Sequence, residues 1–216
     1  MHKLIERLLP KPLKFLAVRF DRSPLGTTDS LADFVRTRAS YIAQTSLYGY
    51  LKTRMGTRYV EAFTDERFSD VIRDSAIKVF ASCLADLTVH AVALVGRDRA
   101  LEPDEARALA RYCYRLGLAG NLEADDRAKL PADMMAQFDE RLQGTIWANA
   151  ALGEGAFTGS ARDLVRFAPI IDEFKDLDRE IVMNSIRFRW RDVRQQLAKR
   201  LDGASVIADF KANPPA

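Results

Sequence analysis

The sequence predicts an all-α fold: a single-domain bundle of about six or seven helices around a central apolar helix near residues 67–95. Three observations carry this. Apolar positions recur at helical spacing through nearly every long segment, strand-like alternation is scarce, and Gly and Pro fall mainly at segment ends. The 216 residues, 48% hydrophobic and 29% charged, suit one domain with a substantial core. By boundaries, the chain divides into a basic amphipathic segment at 1–22, a helical domain at 29–203 and a C-terminal tail at 204–216.

In order along the chain, Pro12 opens a helix that places Leu13, Leu16, Ala17 and Phe20 on one face. DRSPLGTT at 21–28 is a turn-rich linker. Asp29 or Ser30 caps a helix carrying Leu31, Phe34, Val35, Tyr41 and Ile42, which runs to about Met55–Gly56. The central helix starts near Asp65–Ser69 and ends at Gly96. Glu102-Pro103-Asp104-Glu105 announces the next helix, with proline in its first turn and acids at the positive end of the dipole; it closes at Gly117 and Gly120. Another begins at Pro131, with Met134, Met135 and Phe138 on one side. After the glycine-rich loop GEGAFTGS at 153–160, Ser160 and Asp163 form a capping pair for a short helix that ends before Pro169. The last helix runs from about Asp176 to Leu201 and stops at Gly203.

Formal net charge is only +3, but it is unevenly spread. Residues 1–59 hold eleven Lys/Arg against four Asp/Glu, and the remainder holds 22 against 26. An excess of seven cations in the first quarter points to an anionic partner or to the acidic remainder of the chain. Total charge is too low for a dedicated nucleic-acid binder. Cys83 and Cys113 sit at apolar helical positions and read as buried thiols in a reducing compartment. With two histidines and no clustered spacing, neither a metal site nor a cofactor is predicted. The N-terminus lacks a secretory pattern, its apolar runs being broken by Pro10, Lys11, Pro12 and Lys14. Ile77–Gly96 is long enough to cross a bilayer, but Lys78, Asp86 and His90 fall inside it. A cytoplasmic protein, peripheral to the inner membrane, is the expectation.

Fourteen of the twenty residues in Ile77–Gly96 are apolar, and through them runs a polar stripe: Lys78, Ser82, Asp86 and His90, four apart. Asp86 and His90 lie one turn apart, as a carboxylate orienting an imidazole would. One carboxylate and one histidine make no complete site, so we expect both to be enclosed and hydrogen-bonded to neighbouring helices. A serine-type hydrolase acting on an ester is the alternative, with Ser160 as nucleophile, His90 as base and Asp86 as orienter. The sequence has no G-x-S-x-G elbow for it. GEGAFTGS also lacks the lysine of a phosphate-binding loop.

Two basic-aromatic surfaces stand out. SLYGYLKTRMGTRY sets Tyr48 among Lys52, Arg54 and Arg58. IRFRWRDVR places Arg187, Arg191 and Arg194 beside a core-facing stripe of Val182, Ile186, Trp190 and Val193, with Phe188 pointing away from both. Acids such as Asp172, Glu173 and Glu180 are available to pair with these arginines. The segments SLYGYLKTRMGTRY and EIVMNSIRFRW resemble a family of small uncharacterised bacterial all-helical proteins, some of which carry an esterase label. The resemblance spans most of the chain and implies a helical fold. It brings no catalytic motif, so no functional residue is carried over.

The leading expectation is a non-enzymatic helical protein that docks on a membrane surface or a membrane-bound partner. Residues 1–22 carry six Lys/Arg and two Asp/Glu among leucines and phenylalanines. Lys3, Arg7, Lys11, Lys14 and Arg19 would meet anionic lipid.

Overall fold

The computed structural model describes residues 23–97, 101–153 and 155–213, and helix is the only repeating secondary structure among them. The basic segment at 1–22, with Lys3, Arg7, Lys11, Lys14 and Arg19, lies outside the described residues. Among the described residues, seven helices of ten residues or more form the bundle: α1 (Thr28–Met55), α3 (Glu66–Gly96), α4 (Pro103–Asn121), α6 (Met134–Gln143), α8 (Thr158–Phe167), α9 (Asp172–Arg200) and α10 (Gly203–Ala212). Shorter helical pieces join them: α2 (Tyr59–Thr64), α5 (Ala124–Arg127) and α7 (Trp147–Leu152).

The helix starts follow local chemistry. Thr27, slightly earlier than the expected Asp29 or Ser30, caps α1: its hydroxyl accepts from the Ser30 amide at 3.1 Å, and its own amide donates to Ser30 Oγ at 3.0 Å. Asp65 caps α3 by accepting from the Phe68 amide at 2.9 Å. Glu102 and Glu105 form the same reciprocal arrangement at α4, with Pro103 in the first turn.

The core is centred on α3, which packs against α1, α4, α7 and α8. From Ser75 to Val95 almost every residue of α3 is buried, whichever way it points. Among the described residues, α3 is the one helix long and apolar enough to cross a membrane, and 83% of its apolar window is covered by the rest of the fold. Close packing depends on a missing side chain at Gly117 of α4, where a Cβ would come within 2.7 Å of Leu84.

The C-terminus differs from expectation. Gly203 does not end the fold: Asp202 accepts from the Ser205 amide at 3.1 Å and starts α10, which buries Val206 and Phe210. The expected tail at 204–216 is therefore helical as far as Ala212. Thr28 donates its amide to Asp209 at 2.8 Å, tying the start of α1 to α10. An isolated bridge between Leu25 and Leu201 brings the first described residues beside the end of α9.

Candidate functional site

The polar stripe of α3 is where the structure concentrates its unusual chemistry. Asp86 is fully buried. Its Oδ2 accepts from the Ser160 backbone amide at 2.7 Å, in the first turn of α8. Its Oδ1 lies 2.7 Å from Arg141 Nη1 of α6. That contact is a close ion pair between a buried carboxylate and a partly buried guanidinium. Burial pushes the Asp86 carboxyl above its ordinary value, opposed by Arg141 and by the Ser160 amide. Arg141 also donates to the Ala156 carbonyl at 2.8 Å, so α3, α6 and the loop before α8 meet at one guanidinium. A Cβ at Gly159 would stand 2.9 Å from Asp86 Oδ1. Glycine at that position leaves room for a carboxylate at the positive end of α8.

Ser160 is not the expected cap. Phe157 occupies that position without a side-chain bond, and Ser160 lies buried inside α8. Its hydroxyl accepts from Trp190 Nε1 at 3.1 Å. His90 is elsewhere: its Nδ1 bonds the Ala150 carbonyl at 2.8 Å, and its ring stands 5.1 Å from that of Phe157. A carbonyl only accepts, so Nδ1 carries the proton. Phe157 in turn lies 4.9 Å from Trp190, so one aromatic ring stands between His90 and the tryptophan that binds Ser160. Burial lowers the His90 imidazole to about 4, against a smaller upward pull from the Ala150 carbonyl. The structure thus joins Asp86 to Ser160 through both the Ser160 amide and its side chain, leaves Asp86 without a polar contact to His90, and sets no histidine against the Ser160 hydroxyl among the described residues. Among the described residues there is no serine–histidine hydrogen bond of the kind a serine hydrolase uses.

The outer half of the stripe opens differently. Lys78 and Ser82 line a cleft of about 680 Å³ between α3, α6 and α8, with Tyr114, Met134 and Phe138 on its apolar side. Arg141, Arg162 and Arg166 also line it. Ser82 donates to Asp163 at 2.5 Å, which engages that carboxylate. Lys78 Nζ stands 5.6 Å from the centre of the Phe167 ring, and the Arg166 guanidinium 5.0 Å from the same ring. Among the described residues neither Lys78 nor Arg166 has a carboxylate at ion-pair distance. Arg162 reaches only its neighbour Asp163, at 3.5 Å and largely in solvent. The carboxylates of Asp133 and Asp163 also line the cleft, so its free cations are Lys78 and Arg166, which stand beside apolar walls. Such a surface attracts an anionic group attached to an apolar body.

The predicted basic-aromatic surfaces are not one site. Tyr48 packs on Phe63 at 5.6 Å, Lys52 lies over Tyr59 at 4.9 Å, and Arg54 forms an ion pair with Asp178. Arg58 is exposed. On α9, Arg194 donates to the Leu152 carbonyl at 2.7 Å and Arg191 covers Phe188 at 4.5 Å. Arg187 makes one weak contact, with Asn184 at 3.4 Å. Their expected partners Asp172, Glu173 and Glu180 are not used: Asp172 pairs with Lys175 on its own turn.

Sequence reading missed Arg141, Arg162, Arg166 and Phe167. The signal was present in SARDLVRF, where Arg162 and Arg166 stand four apart on a helix whose Ala161, Leu164 and Val165 are buried. Among the described residues no three His, Cys, Asp or Glu side chains cluster as metal ligands. Comparison with family models, with curated proteins and with solved structures finds no match to this chain.

Proposed function

We propose that this is a non-enzymatic helical protein that docks on an anionic membrane surface, with the α3–α6–α8 cleft taking an anionic lipid headgroup. The observation that carries this reading is the convergence of Lys78 and Arg166 on Phe167, neither with a described carboxylate at ion-pair distance, at a cleft with one apolar side. Two like charges held near one ring repel each other unless an anion joins them. The cation excess of residues 1–59 adds long-range attraction toward the same kind of surface. Residues 1–22 supply leucines and phenylalanines among six cations, each worth about 1 kcal/mol near an anionic bilayer.

Flotation with vesicles of phosphatidylglycerol and phosphatidylcholine tests this. We expect the full chain to float with the anionic vesicles and to stay behind with pure phosphatidylcholine. Lys78→Ala/Arg166→Ala should weaken flotation, and so should removal of residues 1–22. Equal flotation on both lipids, or no change in either variant, would refute the proposal.

A further inference from the structure

Helix α9 has two apolar faces. One, formed by Val182, Ile186, Trp190, Val193 and Leu197, is buried; α9 packs on α8 and α1. The other lies about 150° around the helix at 100° per residue. There Phe174, Leu177, Ile181 and Phe188 are 43%, 74%, 73% and 63% exposed. The steps of three, four and seven residues trace a heptad seam, with Asn184 at the remaining seam position. Along about 21 Å of helix, roughly 500 Å² of apolar surface is left bare, near the upper end for a monomer.

On one flank of this seam the charges are equally unpartnered, whereas on the other Asp178 pairs with Arg54. Glu173, Glu180 and Arg187 occupy successive flanking positions, seven residues apart. Among the described residues none of the three has an ion-pair partner. The helix is also polarised. Its first ten residues hold five acids against Lys175 and Arg179, whereas Arg187, Arg189, Arg191 and Arg194 in its second half face only Asp192.

We propose that the exposed seam of α9 pairs antiparallel with the same seam of a second copy, giving a two-fold symmetric homodimer. Antiparallel pairing sets the acidic half of each helix beside the basic half of the other and brings Glu173 opposite Arg187 twice; a parallel pair would set acid against acid. Glu180 meets its own copy near the axis, a like-charge contact outnumbered by those two pairs. The seam, together with the stems of its flanking charged side chains, approaches the roughly 800 Å² per partner typical of a stable interface. The buried face anchors α9 from Val182 onward, and ahead of it Arg54 of α1 pairs with Asp178 and lies over Phe174. This inference is independent of the cleft.

Light scattering of the full chain across the micromolar range, with far-ultraviolet circular dichroism alongside, tests it. We expect a dimer mass for the wild type. Ile181→Lys, at an exposed position, should give a monomer with an unchanged helical spectrum, and Leu177→Lys should repeat the result. Arg187→Glu should weaken the dimer roughly tenfold, and Glu173→Arg added to it should restore most of the loss. A wild type that stays monomeric, or a dimer that survives both lysine variants, would overturn the proposal. So would a chain that dimerises only after residues 1–22 are removed, since that segment would then be what covers the seam. Failure of the charge swap to restore the dimer would overturn the antiparallel arrangement.

Discussion

Lys78 and Asp86 stand eight residues apart on one stripe of α3, yet their surroundings are opposite. Asp86 lies under α8 with its oxygens taken by Arg141 and the Ser160 amide, and no water reaches it. Lys78 lies at the cleft beside the Phe167 ring, with no ion-pair partner among the described residues. What separates them is the element packed above. Glycine at 159 lets the backbone of α8 close onto Asp86. One and two turns further along α8, Arg162 and Arg166 add charge instead of neutralising it. A polar residue on a buried helix serves architecture where its partners are built into the fold. Where they are missing it is available to a ligand.

The largest expected effect breaks the inner half. Asp86→Ala removes the partner of a partly buried guanidinium and leaves the Ser160 amide without an acceptor. We expect a loss of about 4 kcal/mol, read by urea or thermal unfolding. Asp86→Asn keeps an acceptor for that amide and should lose less.

Next in size is an acid effect at His90. The folded chain holds this imidazole neutral down to about 4, whereas the unfolded chain takes up a proton near 6.5. The unfolded state thus binds more protons in this window, so the contribution is fully present above pH 6.5 and is lost as pH falls to about 4, reaching roughly 3 kcal/mol. Asp86 acts in the reverse sense, because burial raises its folded value and favours the folded state as protons bind. The difference between wild type and His90→Asn, which offers an amide to the Ala150 carbonyl, isolates the histidine. Unfolding curves at pH 7 and pH 4.5 should separate for the wild type more than for the variant.

A smaller loss is expected at the floor of the cleft. Gly159→Ala places a methyl against Asp86 Oδ1 and should cost about 2 kcal/mol of stability. A melting temperature equal to wild type would mean that α8 moves aside freely and that the Asp86 seat is not tight. At the outer half, Lys78→Ala and Arg166→Ala should each change stability by less than about 0.5 kcal/mol, because no described ion pair is lost.

The helices were legible because their signals are local: Asp65, Pro103 and Gly56 mark ends, and apolar spacing marks the long spans, although the last helix begins at Asp172, a turn before the expected Asp176. Short pieces such as α2 and α7, a turn or two each, fall below what periodicity resolves. The C-terminal helix was missed because Gly203 reads as a stop, while the decisive cap is Asp202 just before it. At the site, the stripe on α3 was visible in the sequence, but its sorting into buried and open halves depends on Arg141, Gly159 and Trp190. These come from three other elements, and no spacing rule connects them to α3. The same holds for α9: its core stripe was evident, and Phe188 was seen to point elsewhere. Only the exposure of Leu177 and Ile181 shows that it belongs to a second face.

The contrast between the two halves of the stripe is tested most directly by the partition of Lys78→Ala/Arg166→Ala onto phosphatidylglycerol vesicles, compared with wild type at the same salt. We expect the variant to keep the wild-type melting temperature and to bind several-fold more weakly, with a shallower dependence on salt. A variant that melts well below wild type yet binds anionic vesicles as tightly would contradict the assignment of the outer half to a ligand.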